Sequence, residues 1–162
     1  MDAVGLTVLL KELEADCAVV RDAAQKAAAR LRERGPGHAE ACAYELARLY
    51  NTLEKMLERI CEEFENHFEK RGDYHERLVQ RLTLGLPGIR PAFIPAGSAP
   101  AVRELKGFRH VIHHAYDLKL KVERLGELSA LAGRLAHELP DWCAGFGQSR
   151  NLLTAPRWLA IV

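Results

Sequence analysis

The sequence predicts an all-α protein, an up-and-down bundle of four to five helices. Three observations carry this. Apolar residues recur at three- and four-residue steps over long stretches, and the breaks between these stretches are short and marked by glycine or proline. No stretch alternates polar and apolar residues as a half-buried strand would. The 162 residues suffice for one domain with a real core, and the 48% hydrophobic and 28% charged shares are ordinary for a globular chain.

The elements follow in order. Leu6, Leu9, Leu10, Leu13, Cys17, Val20, Ala24, Ala28 and Leu31 predict a long helix over 6–33, stopped by Gly35-Pro36-Gly37. Leu46, Leu49, Tyr50, Leu53, Leu57, Ile60 and Phe64 form the stripe of a second helix over about 38–69, ended near Arg71-Gly72. Asp73 with Glu76 reads as a capping box for a short third helix, 74–84. Segment 85–100 holds four of the seven prolines and reads as a loop. A fourth helix starts near Ser98. A fifth covers about 119–139 and is expected to stop at Pro140. The chain reads as a single domain over 1–162, with the tail 140–162 left unplaced.

Composition narrows the function. A net charge of +1 gives no whole-surface field for nucleic acid, so any phosphate site must be local. No apolar run approaches the roughly 20 residues that span a bilayer, and the N-terminus has acids early and no basic block before an apolar one. No membrane partner and a cytoplasmic location are therefore expected. Cys17, Cys42, Cys61 and Cys143 are far apart in sequence, without a CxxC pair, which suits free thiols better than a disulfide frame or a zinc site.

The richest stretch is Arg109-His110-Val111-Ile112-His113-His114-Ala115-Tyr116, with three of the seven histidines. Arginine grips phosphate with a planar fork of donors, and histidine exchanges protons near neutral pH. Together they suit cleavage of a phosphodiester that carries its own nucleophile, as RNA does in its 2′-hydroxyl. On an ideal helix Leu105, Phe108, Ile112 and Ala115 share a core face, with Arg109 and Tyr116 on its edge and His113 close by. His114 lies about 140° round from Arg109. Either the helix ends or bends near His114, or a second copy completes the site. The plain alternatives are an ion pair for Arg109 and a macrodipole-favoured terminal position for His114. His110, His114 and Asp117, at i, i+4 and i+7, are also a metal stripe on paper, but no second ligand cluster or HExxH accompanies them, so no metal and no cofactor is expected. Arg103, Lys106, Arg109, Lys119, Lys121 and Arg124 against three acids make a modest basic patch, in which Lys106 and Lys119 are candidate substrate contacts together with His113.

Arg109-x4-His114-x-Tyr116 resembles the Arg-x4-His-x-Tyr signature of HepT-type toxins in the HEPN superfamily. The segments LYNTLEKMLERICEEF, RGDYHERLVQRL, GIRPAF and ELKGFRHVIHHAYDLKL, in this order, extend the resemblance over roughly residues 40–138. The resemblance implies a HEPN-like bundle that dimerises with its motifs facing across a cleft. It implies metal-independent RNA cleavage with Arg109, His114 and His110 as catalytic residues. It also implies a minimal nucleotidyltransferase (MNT-type) antitoxin that transfers AMP to Tyr116. The alternative from another class is a non-catalytic HEPN module that binds nucleotide or substrate for such a nucleotidyltransferase.

Overall fold

A computed structural model describes residues 3–65, 72–114 and 119–148. It has five helices and, among the described residues, no strand: α1 (Ala3–Glu33), α2 (His38–Glu65), α3 (Tyr74–Leu82), α4 (Ala99–His114) and α5 (Val122–Gly147). The all-α bundle expected from periodicity is what forms. α1 lies along α2 and α5, while the shorter α3 and α4 pack on the other side of α2. The predicted stripes face inward. Leu6, Leu9, Leu13, Cys17 and Val20 of α1, and Leu46, Leu49, Tyr50, Leu53, Leu57 and Ile60 of α2, are all buried. The α1–α2 turn takes its reversal from Arg34 (φ 48°) and Gly37 (φ 72°), the latter a conformation only glycine adopts without cost.

Two local expectations are overturned. The capping box at Asp73 does not form, because the Asp73 side chain makes no cap hydrogen bond. Glu76, its intended partner, is instead drawn away by Arg103 and Lys106 of α4. Two cations outweigh one backbone N–H for a carboxylate in reach of both.

The second correction is Pro140. α5 does not stop there but continues for another two turns, with Pro140 inside it. The missing N–H and the ring clash cost about 3 kcal/mol. Beyond the proline lie Trp142 and Phe146, both buried, each worth about 1.5–3 kcal/mol. Phe146 meets Phe93 and Phe64 edge-on at 5.6 and 5.7 Å, and Trp142 meets Phe93 at 6.1 Å, adding about 0.5–1.5 kcal/mol per pair. Burial therefore outweighs the break.

The segment between α3 and α4 is irregular, as its prolines predict, but it is anchored. Leu86 and Arg90 pair across a tight turn, and the Phe93 and Ile94 amides donate to the Leu82 carbonyl at 2.9 and 3.0 Å. Beneath them Arg90 is fully buried. Its guanidinium donates to Glu65 Oε1 and to the carbonyls of Leu84, Pro91 and Arg81. This clamp fixes the end of α2 against the loop and so sets where α4 begins.

Candidate functional site

The C-terminal half of α4 faces α2 and the start of α3, and a cleft of about 330 Å³ opens there. Arg109, His110, Lys106 and Gly107 form one wall, with Tyr50 of α2 and Asp73, His75 and Glu76 opposite. Gly107 leaves the middle of this wall without a side chain. Arg109 is half-buried, and its Nε donates to Asn51 Oδ1 at 3.0 Å. Among the described residues no carboxylate pairs with it. The neutral amide holds the guanidinium in place without adding a counter-charge, and among the described residues nothing else neutralises it, the condition for gripping an anion.

His110 and His114 stand one turn apart with their rings stacked, centroids 4.3 Å apart. His114 Nδ1–H donates to the His110 carbonyl at 2.8 Å. In the neutral ring that bond puts the proton on Nδ1 and leaves Nε2 as the acceptor, the atom a general base uses. Both rings are exposed. Arg109 and His110 share the cleft, while His114 stands beside it, in keeping with the angular offset on an ideal helix.

The other candidates separate. Lys106 lines the cleft, but its ammonium is paired with Glu76. His113 is exposed on another side and lines a groove of about 540 Å³ with Asn51, Tyr44, Ile112 and Leu120. Lys119 does not line the Arg109 cleft but a third groove, with Phe108, Val111 and Arg124, which meets that cleft at Gly107. Tyr116 and Asp117 fall within 115–118, outside the described residues. Among the described residues no three histidines, cysteines or carboxylates are grouped to hold a metal ion.

Sequence reasoning did not attach three neighbours to the motif. Asn51 holds Arg109. Glu54, buried on the apolar stripe of α2, accepts from the Tyr50 hydroxyl at 3.4 Å and from His75 Nδ1. Burial, then the Glu54 charge, pushes the Tyr50 hydroxyl well above its ordinary range. Tyr74 is likewise raised by burial and by its bond to Glu58. Both tyrosines are buried, and each hydroxyl donates to a carboxylate. A carboxylate four residues after a tyrosine within an apolar stripe was the available signal for Glu54. Nothing in spacing links His75 or Asn51 to Arg109.

An α-helical bundle whose fourth helix carries Arg-x4-His over a cleft is a HEPN-type architecture. A family model described as HepT-like protein matches residues 41–149, more than half of the chain. The chain belongs to this HepT-like family of the HEPN superfamily. No curated protein and no solved structure matches it. No described helix is long and apolar enough to cross a membrane.

Proposed function

We propose that the chain is a metal-independent endoribonuclease toxin of a prokaryotic toxin–antitoxin pair, acting in the cytoplasm as a homodimer. The family is one associated with ribonucleases, and the observation that carries the reading is Arg109. It is a guanidinium held by a neutral amide in an open cleft beside two histidines. In this reading Arg109 clamps the scissile phosphate and stabilises the charge that builds on it. His114 Nε2 takes the 2′-hydroxyl proton, and the 2′-oxygen then attacks phosphorus. The P–O5′ bond breaks, and the 5′-oxygen receives a proton. His110 orients the phosphate. The RNA supplies the nucleophile, so the scheme has no step that calls for a metal. Because His114 stands beside the cleft of its own Arg109, the second copy brings its motif opposite the first.

Control by a nucleotidyltransferase antitoxin belongs to the same reading. Tyr116 lies two residues past His114, so an AMP on its oxygen would compete for Arg109 and block RNA entry. The non-catalytic reading has one observation in its favour. Glu76 neutralises Lys106 and Arg103, and this thins the basic patch.

One assay separates the two. RNA cleavage by the purified chain in EDTA should persist. It should fall by at least about 100-fold in Arg109→Ala and in His114→Ala, the usual loss for a charge stabiliser or an acid–base group. Wild-type activity in both variants would assign cleavage elsewhere, and an inactive wild type would favour the non-catalytic module.

A further inference from the structure

Cys17 and Cys143 are 126 residues apart in sequence, yet their sulfurs lie 3.5 Å apart where α1 crosses α5. The two helices approach closely at this level. A Cβ at Gly147, one turn beyond Cys143, would meet the Leu10 side chain at 3.1 Å. The pair is not sealed in. It borders an open cleft of about 650 Å³ that is also lined by Glu14, Arg21, Pro140 and Gln148, and Cys143 is part-exposed. The other two thiols differ on every count. Cys42 and Cys61 are fully buried, and burial pushes each thiol up to about 11.

We infer that Cys17 and Cys143 form a reversible, hydroperoxide-oxidisable dithiol, a modification site that fastens α1 to α5. The charges around the pair give the two sulfurs different roles. The hydrogen bond between the two sulfurs, with Arg21 one turn along α1, lowers the Cys17 thiol against its burial and against Asp16 and Glu14. Asp16 is itself paired with Arg59. Cys143 is raised, because it is the partner that keeps the proton. Arg21, one turn from Cys17 on α1 and lining the same cleft, gives Cys17 the role of attacking thiolate.

The chemistry closes with the hydroperoxide as sole oxidant. Cys17 sulfur attacks one peroxide oxygen, the S–O bond forms as O–O breaks, and the departing alkoxide or hydroxide takes a proton. Cys143 sulfur then attacks the Cys17 sulfenic sulfur, S–S forms as S–O breaks, and hydroxide leaves with the Cys143 proton as water. Two thiols and one hydroperoxide give a disulfide, an alcohol or water, and one further water. Small side-chain rotations would bring the sulfurs from contact to the roughly 2.05 Å of a bond. The cross-link closes a long loop, which is where a disulfide restrains the unfolded chain most.

The test treats the reduced full-length chain with one equivalent of hydrogen peroxide. Expected are a loss of about 2 Da in intact mass, a peptide joining Cys17 to Cys143, and a melting temperature raised by about 5 °C or more, all reversed by dithiothreitol. Cys143→Ser should keep its mass apart from a dimedone-trappable sulfenic acid on Cys17. A link to Cys42 or Cys61, a link between two copies of the chain, or higher oxidation of one cysteine without a cross-link would each overturn the assignment. None of these readings requires ribonuclease activity.

Discussion

Arg90 and Arg109 carry the same guanidinium into opposite circumstances. Arg90 has no side-chain exposure, and a carboxylate and three carbonyls occupy its donors. Arg109 is half-buried at the edge of a cleft and, among the described residues, donates to a single amide. The first is consumed by structure, for its desolvation is offset only by a complete set of partners. The second is restrained without being neutralised. What separates the two arginines is the donors each leaves over, and those of Arg109 are what the proposed phosphate clamp would use.

The contrast breaks most visibly through Arg90. Arg90→Met should leave Glu65, whose side chain is 3% exposed, with Arg81 as its remaining cationic partner among the described residues. We expect a loss of about 3–5 kcal/mol in urea unfolding, the usual result of removing one member of a buried pair. Arg109→Ala, by comparison, should stay within about 1 kcal/mol of wild type while losing cleavage. An Arg90→Met chain as stable as wild type would show that the clamp is dispensable.

A second prediction sharpens the functional half. Tyr116→Phe should cleave RNA within about threefold of wild type, since the hydroxyl has no assigned step in cleavage. It should also escape the gain of roughly 329 Da expected when the wild type meets a cognate nucleotidyltransferase with ATP and Mg²⁺. A modified Tyr116→Phe chain would place the acceptor elsewhere. Tyr50 and Tyr74 are buried, so the exposed Tyr44 would be examined first.

The smallest effect concerns Glu76. Lys106 and then Arg103 hold its carboxyl below the usual carboxylate range. A depressed acid contributes stability above its unfolded pKa of about 4.3 and loses it as pH falls through the folded value. Glu76→Gln should therefore melt slightly below wild type at pH 7, and the gap should narrow steadily as pH falls below the unfolded value of about 4.3. A gap that is unchanged there would mean that the ion pairs contribute nothing.

Much of the fold was legible because it rests on local periodicity. The α1 and α2 stripes named from three- and four-residue steps are the buried ones, although Ala27 rather than Ala28 lies deepest near the end of α1. The failures came where tertiary contacts overrode a local signal. Pro140 is a strong stop in isolation, but Trp142 and Phe146 are held by Phe93, which is 49 residues from Trp142. Glu76 looked like a cap and belongs to α4's cations. At the site, Arg109, His110 and His114 were readable as one motif within one helix. Asn51 and His75 were not, because only the packing of α2 and α3 on α4 brings them there.

The span that identifies the family is shorter than the span that is packed. The match begins at residue 41, after the whole of α1, yet α1 buries Leu6, Leu9, Leu13, Cys17, Val20, Ala23, Ala24 and Ala27 against α2 and α5. A fragment trimmed to the recognised boundaries would keep the motif and bare the two longest remaining helices along their length. Such a fragment would be prone to associate through that stripe, and an oligomer measured on it would report the missing helix rather than the native contact. For this chain the unit of recognition and the unit of folding have different edges, and experiments should respect the second.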